Sequence, residues 1–294
     1  MKKKFILFVL VFVAFFSYGQ TEATWIIAPA DDGKAVWITE YRGNEKSVQI
    51  LNYIANLPVI GIGESAFAGK GLTFVAIPRG ITTIGDFAFG ENEVRTAQLP
   101  ETLISIGAEA FKRNKLTKIT IPNSVEFIGA GAFRENQLTN ITIPRGVTAI
   151  SANTFYDNKL TFVSLPETLI SIGITAFGNN QLTNITIPNR VSSIEAGAFW
   201  HNQLEKVTIP NSVRFIGLAA FSGNQLTEIT IPSNVTITSQ AFLGNPIVKI
   251  TIGENVVLEE LLGVGVFDGH TFDDFYRTNG RKAGTYTLNN GVWK

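Results

Sequence analysis

Residues 116–136 read LTKITIPNSVEFIGAGAFREN, and this stretch decides the fold because close copies of it recur along the chain. Proline, phenylalanine and asparagine each return in it with a period of 22 residues, over about 180 residues. Three residue types that share one period identify an internal repeat. The three series are Pro78, Pro100, Pro122, Pro144, Pro166, Pro188, Pro210 and Pro232; Phe67, Phe89, Phe111, Phe133, Phe155, Phe177, Phe199 and Phe221; and Asn92, Asn114, Asn136, Asn158, Asn180, Asn202 and Asn224.

Each repeat predicts one main strand followed by a turn. Ile119-Thr120-Ile121 alternates between apolar and polar residues, as a strand with one buried face does. Pro122 has no N–H to donate, so the strand ends there. Val125 and Ile128 then return to the interior, and residues 132–133 indicate a short helical or 3₁₀ turn.

A single unit of this size cannot bury its apolar side chains alone, so successive units must stack. The predicted fold is a mostly β, right-handed solenoid with a parallel sheet and one main strand per 22-residue coil. The phenylalanines then form a stacked column in the core. The asparagines are predicted to form an amide ladder that binds backbone groups of their own and neighbouring coils.

The two ends of the chain differ from the repeats. Residues 1–19 carry three lysines and then a 12-residue apolar run, which indicates a signal peptide cleaved after Gly19. Residues 20–47 contain two β-rich runs and are predicted to form an N-terminal β cap. The solenoid is assigned to residues 48–267, and residues 268–294, which include a second predicted hairpin, to a C-terminal cap. No transmembrane segment is expected after cleavage, because no later apolar run reaches 18 residues.

Composition excludes several classes of function. The chain has no cysteine, which removes disulfides and thiolate metal sites. It carries 24 basic and 24 acidic residues, and loss of the three leader lysines makes the net charge −3. Such a protein lacks the basic field that nucleic-acid binding requires. We expect no metal and no cofactor.

Catalytic side chains do not converge in the repeat pattern. The only histidines, His201 and His270, lie about three coils apart. Glu101 and Glu167 share a column, but three coils separate them by ~14 Å. Paired glycosidase carboxylates lie about 5–9.5 Å apart. The sequence therefore predicts a protein that is not an enzyme.

The outward positions of the predicted strands form two columns. One column is almost entirely threonine, which plain β-propensity explains. The other varies and places Phe74 and Phe162 where water is expected. We hypothesise a ligand-binding site around Phe162, with Phe74 as a further contact candidate; local packing across the sheet is the alternative. The other predicted site residues are Asn140, Asn184, Lys118 and Lys206.

The unit L-x-x-I-T-I-P-x-x-V-x-x-I-G-x-x-A-F-x-x-N, complete in residues 116–136, resembles the BspA-type leucine-rich repeat. The resemblance covers roughly residues 48–267 and implies a leucine-rich-repeat solenoid. It also implies an exported or surface protein of host-associated bacteria, some of which adhere to host matrix proteins or to other cells. The resemblance supplies no catalytic residues. The chain departs from many members in lacking repeat cysteines and an obvious wall anchor.

These observations favour a secreted or cell-surface binding protein that recognises a protein or glycan ligand, such as a host matrix protein or another cell. Two alternatives stay open. One is a structural solenoid that stacks end to end, and the other is a polysaccharide-active enzyme on a β-solenoid. Ice binding by the threonine column is a remote further reading, because one column lacks a paired two-dimensional array.

Overall fold

The computed structural model describes residues 24–260, 264–267 and 271–294. They form a leucine-rich-repeat solenoid of about ten coils with parallel sheets and almost no helix. The segment predicted to be a signal peptide, residues 1–19, lies outside the described residues.

The predicted main strands form the first sheet, which runs along one side of the solenoid. Neighbouring strands pair in parallel and exactly one repeat apart in register, as in Ile141 opposite Val163. The hydrogen-bonded ladder is divided into four segments, β3-β6-β8, β11-β13, β15-β17 and β19-β21, and no strand forms at residues 118–120. The strands are β3 (Ser47–Gln49), β6 (Phe74–Ala76), β8 (Thr96–Gln98), β11 (Asn140–Thr142), β13 (Phe162–Ser164), β15 (Asn184–Thr186), β17 (Lys206–Thr208), β19 (Glu228–Ile231) and β21 (Lys249–Ile252).

A second sheet lies around the corner of each coil, after the proline turn. The sequence predicts inward residues there but not a second strand. The hydrogen-bonded ladder of this sheet is interrupted between Phe127–Ile128 (β10) and Ala149–Ile150 (β12). Directly after β12, Ser151 replaces the usual glycine, and its hydroxyl donates to Ile128 O (2.6 Å). The strands are β2 (Val36–Tyr41), β5 (Leu57–Ile62), β7 (Thr83–Ile84), β9 (Ser105–Ile106), β10 (Phe127–Ile128), β12 (Ala149–Ile150), β14 (Ser171–Ile172), β16 (Ser193–Ile194), β18 (Phe215–Ile216), β20 (Thr236–Ile237) and β22 (Val257–Leu258).

A column of phenylalanine rings forms the centre of the core, as the sequence predicts. Ten rings, one per coil from Phe67 to Phe267, stack with centroids 4.9–5.7 Å apart and interplanar angles of 2–21°. The rings from Phe67 to Phe242 are at most 1% exposed. Each ring buries about 150–250 Å², so this column contributes a large share of the apolar burial that joins the coils.

The asparagine column forms the predicted amide ladder, and Asn158 shows its geometry. The Oδ1 atom of Asn158 accepts a hydrogen bond from Leu138 N in the preceding coil (3.0 Å). Its Nδ2 atom donates to Phe133 O in that coil (2.9 Å) and to Phe155 O in its own (3.2 Å). The side chain is 7% exposed. Each asparagine therefore satisfies backbone groups of two coils at once.

The segment that carries the phenylalanine is a hydrogen-bonded turn rather than a helical or 3₁₀ turn. Two columns of residues with a left-handed backbone conformation (positive φ) flank this turn. Most of them are not glycine, as Phe87 (φ 55°) and Thr175 (φ 47°) show. Their N–H groups donate to the next coil, as in Thr175 N to Ala196 O (2.8 Å). The inter-coil bonds thus hold a backbone conformation that costs ~1–2 kcal/mol per residue. The first column is Ser65, Phe87, Glu109, Gly131, Asn153, Thr175, Gly197, Ala219 and Gln240, and the second is Gly69, Glu91, Arg113, Glu135, Asp157, Asn179, His201, Gly223 and Gly244.

This strain predicts a stabilising substitution. Ala219 has a φ of 53°, and we expect Ala219→Gly to raise the free energy of unfolding by about 0.5–1 kcal/mol, because glycine relieves the steric cost. Ala220 is its matched control, since it is buried and does not have a positive φ. Ala220→Gly is expected to lower that free energy by about 1 kcal/mol. Urea unfolding followed by circular dichroism measures both free energies. A loss of stability in Ala219→Gly would contradict the presence of backbone strain at Ala219.

Separate elements cover the two ends of the core. At the N-terminal end, β1 (Trp25–Pro29) and β2 form the antiparallel hairpin that the sequence predicts. The Tyr41 ring stacks on Phe67 with centroids 5.2 Å apart, and Trp25 packs against both. A short strand, β4 (Tyr53–Ile54), pairs with β5.

At the C-terminal end, α1 (Thr271–Thr278) is followed by the hairpin β23 (Gly284–Asn289) and β24 (Val292–Trp293). β23 continues the first sheet by pairing antiparallel with β21. The fully buried Asp273 accepts hydrogen bonds from Val266 N (3.1 Å) and Phe267 N (3.2 Å), and burial raises its pKa. This carboxylate fixes the last coil against the helix.

Candidate binding surface

The first sheet places Phe162 on the surface of the solenoid. Phe162 is the outward residue at the start of β13, and it is 56% exposed. Asn140 lies directly opposite it in β11, one coil before. Asn184 occupies the same position in β15, one coil after, and both asparagines are exposed. The structure therefore brings these three residues together on the outer face of the sheet.

Threonines orient the two asparagine amides. The Nδ2 atom of Asn140 donates to Thr139 Oγ1 (3.2 Å), and the Nδ2 atom of Asn184 donates to Thr183 Oγ1 (3.3 Å). Thr161 Oγ1 donates to Thr139 O (3.2 Å). One amide hydrogen and the carbonyl oxygen of each asparagine stay available to a ligand. The result is an apolar ring between two oriented amides.

The two candidate lysines lie farther out along the same column. Lys206 is exposed in β17, directly opposite Asn184 and two coils from Phe162. Lys118 is exposed two coils away on the other side, in a coil where no first-sheet strand forms. At a coil spacing of ~4.8 Å, each backbone lies ~10 Å from that of Phe162. The lysines thus flank the ring and do not surround it.

Phe74 lies apart from these residues. It lies in β6, four coils before Phe162, which corresponds to ~19 Å along the sheet. Its side chain is half-buried, and Ser47 of β3 lies opposite it in the sheet.

Two grooves border the first sheet, and the sequence did not predict them. One has a volume of about 460 Å³ and extends from Thr142 and Ser164, at the ends of their strands, to the proline turns, where Arg145 and Glu167 line it. The other has a volume of about 410 Å³ and lies between β17 and β19, two strands that share no ladder hydrogen bonds. Its charged lining residues are Lys206, Glu228 and Lys249.

The turn side of the solenoid carries an ion-pair ladder. The Arg113 guanidinium donates to Glu135 Oε2 (2.7 Å) in the next coil and to Glu91 Oε1 (3.0 Å) in the preceding one. The hydrogen bond from Arg113 holds the pKa of Glu135 below its usual value. These side chains join three successive coils. Trp200, half-buried beside the exposed His201, is a separate aromatic surface in this region.

Sequence reasoning missed an exposed aromatic residue in the repeats of the second sheet. Phe127, the outward residue of β10, is 54% exposed. Its equivalents in the neighbouring coils are Ser105 and Ala149, so no polar groups comparable to the two asparagines flank it. The signal that could have found it is the alternation of Phe127 with the buried Ile128.

Within the described ranges, no three histidine, aspartate or glutamate side chains lie close enough to hold a metal ion. For the same part of the chain, no helix has the length and apolar character needed to cross a bilayer.

A family profile described as the BspA type leucine rich repeat region matches the chain in six copies, over residues 60–163 and 148–261. The matched residues make up more than half of the chain. No curated protein sequence matches it.

Two solved structures with TM-scores above 0.5 show the same fold. A leucine-rich cell surface protein from Faecalibacterium prausnitzii superimposes with a TM-score of 0.52 at 21% identity, over 79% of this chain and 86% of that one. A leucine-rich repeat protein from Eubacterium ventriosum gives a TM-score of 0.51 at 21% identity, over 80% and 71% of the two chains. The leucine-rich repeat protein of T. pallidum is 26% identical over 53% of this chain and 86% of that one, with a TM-score of 0.43.

Proposed function

The chain belongs to the BspA-type leucine-rich repeat family, and from that premise we propose that it is an exported binding or adhesion protein without catalytic activity. The ligand is an extracellular protein or glycan, carried by a host matrix or by another cell. The first sheet around Phe162 makes the contact. Leucine-rich repeat solenoids present extended surfaces that suit this role.

The exposure of Phe162 carries the proposal. Isolated apolar side chains are common on protein surfaces and need no explanation. Phe162 differs because oriented amides stand on both sides of it, and because a groove that Ser164 lines begins two residues away. An apolar ring with convergent polar groups is the usual composition of a binding site.

The same proposal includes the organisation of the chain. Residues 1–19 act as a signal peptide, residues 20–47 and 268–294 as caps, and residues 48–267 as the binding solenoid. The protein is then secreted or held at the cell surface. Aromatic contacts at both ends, Tyr41 on Phe67 and Phe272 on Phe267, cover the core and disfavour end-to-end stacking of solenoids.

Replacement of Phe162 by serine tests this function. The purified protein is screened against matrix proteins and whole bacterial cells by surface plasmon resonance and sedimentation assays. We expect Phe162→Ser to weaken a saturable interaction by roughly tenfold or more, because the ring would no longer be buried against a ligand.

Phe127→Ser is the matched control, since Phe127 is equally exposed but lies on the second sheet. It is expected to leave the interaction unchanged. Equal effects of the two substitutions, or no effect of Phe162→Ser on any detected interaction, would show that the binding site does not lie around Phe162 on the first sheet.

A further inference from the structure

Three consecutive coils around Phe162 form an uncharged polar surface, which we call the neutral patch. It consists of the exposed and half-exposed residues of three equivalent segments, residues 139–142, 161–164 and 183–186, whose sequences are TNIT, TFVS and TNIT. Every outward side chain in it is a threonine, a serine, an asparagine or Phe162. In the equivalent segments of the two flanking coils charged residues return, at Lys118 on one side and at Glu205 and Lys206 on the other.

From this surface we propose that the neutral patch binds an uncharged, pyranose-based glycan that lies along the solenoid axis; the proposal rests on the binding function proposed above. A pyranose ring has an apolar C–H face and a rim of hydroxyl groups. The C–H face fits the Phe162 ring, and the hydroxyl rim fits amides and hydroxyls that both donate and accept hydrogen bonds.

The spacing of the polar groups favours a linear glycan. Asn140 and Asn184 lie one coil before and one coil after Phe162, so their backbones are ~10 Å apart with the ring between them. The hydroxyls of Thr142, Ser164 and Thr186 repeat along the axis at the same spacing. A sugar unit in a linear chain advances by a length close to that of one coil. A central sugar on the ring therefore places its two neighbours beside the amides.

The absence of charge in the patch separates this ligand from others. An anionic glycan would be bound by lysine or arginine, and none lies in the three segments. Energetic centres of protein interfaces are enriched in tryptophan, tyrosine and arginine, and these segments contain none of them. A neutral polyhydroxyl ligand needs what the patch provides, namely one apolar ring and many neutral donors and acceptors.

The test is a calorimetric titration of the purified protein with four neutral hexasaccharides, cellohexaose, xylohexaose, mannohexaose and maltohexaose, and with anionic hexagalacturonate. We expect at least one neutral probe to bind with 1:1 stoichiometry and hexagalacturonate to bind at least tenfold more weakly. Because the ligand is uncharged, the affinity should change less than twofold between low and high salt.

Three variants locate the site. Phe162→Ser is expected to reduce the affinity tenfold or more, whereas Phe162→Trp, which keeps an aromatic face, is expected to retain it. The double substitution Asn140→Ala with Asn184→Ala is expected to reduce it about fivefold or more. Phe127→Ser, with an unchanged affinity, is the control on the second sheet. Urea unfolding of each variant establishes that it is folded.

The possible results separate the glycan proposal from the function on which it rests. Absence of binding by all four neutral probes, preference for hexagalacturonate, or equal losses in Phe162→Ser and Phe127→Ser overturns the glycan proposal. If a protein or cell interaction still depends on Phe162 in that case, the binding function stands without the glycan. If neither a glycan nor any other interaction depends on Phe162, both proposals fall.

Discussion

Phe155→Ala is expected to lower the free energy of unfolding by about 3–5 kcal/mol, among the largest single-residue effects in this chain. Phe155 lies in the middle of the ring column, is fully buried, and stacks on Phe133 and Phe177 with centroids 5.6 and 5.5 Å away. Its truncation leaves a cavity between the neighbouring rings, and the two adjacent coils cannot close it. Urea unfolding followed by circular dichroism measures the loss.

Phe162→Ala is the matched control for this prediction. The two phenylalanines lie seven residues apart in the chain, and Phe162 is 56% exposed. Surface substitutions of this kind stay within about 0.5 kcal/mol. Equal destabilisation by the two substitutions would contradict the assignment of Phe155 to the core and Phe162 to the surface.

Asn158→Ala is the second substitution with a large expected effect. It removes the acceptor for Leu138 N and so leaves this buried N–H without a partner. It also removes one of the two amide donors to Phe133 O and to Phe155 O, which keep their bonds from Asn136 and Asn180. The buried N–H without a partner costs about 1–3 kcal/mol and each of the two lost hydrogen bonds about 0.5–1.5 kcal/mol, so we expect a total loss of roughly 3 kcal/mol. Thermal and urea unfolding both report it.

Two further variants test the chemistry of the ladder. Asn158→Asp keeps an acceptor for Leu138 N but turns oxygen atoms toward two carbonyl groups, so its loss is expected to be at least as large as that of alanine. Asn140→Ala is the exposed control and should stay within about 0.5 kcal/mol of the unaltered protein. A small loss in Asn158→Ala would show that water or the backbone replaces the amide.

The repeat pattern predicted the solenoid because one chemical constraint acts at the same position of every coil. Phe155 and Asn158 are typical: the stacked neighbours leave room for one residue type only, so the constraint is visible in the sequence. The left-handed turn residues were not predictable in this way. At Glu91, Arg113 and His201 the backbone N–H donates a hydrogen bond to a carbonyl of the next coil, and this bond can form with nearly any side chain at the position.

The candidate site was predicted in part. Because strand residues alternate between the two faces, the period alone placed Phe162, Asn140 and Asn184 on the outer face of one sheet. The threonine bonds that orient the amides, and the grooves beside the sheet, depend on side-chain conformation and on which strands pair, and no periodicity encodes these. Phe74 shares the column of Phe162 but lies ~19 Å from it along the axis, apart from the group formed by Phe162 and the two asparagines.

Hydroxyl-radical footprinting with mass spectrometry tests whether the ligand covers Phe162, because it measures the exposure of Phe162 and Phe127 in the same sample. The protein is oxidised alone and when bound to the matrix protein, cell or glycan that it recognises. We expect bound ligand to protect Phe162 from oxidation severalfold and to leave the oxidation of Phe127 unchanged. Unchanged oxidation of Phe162 in a saturated complex, with protection elsewhere, would contradict this expectation.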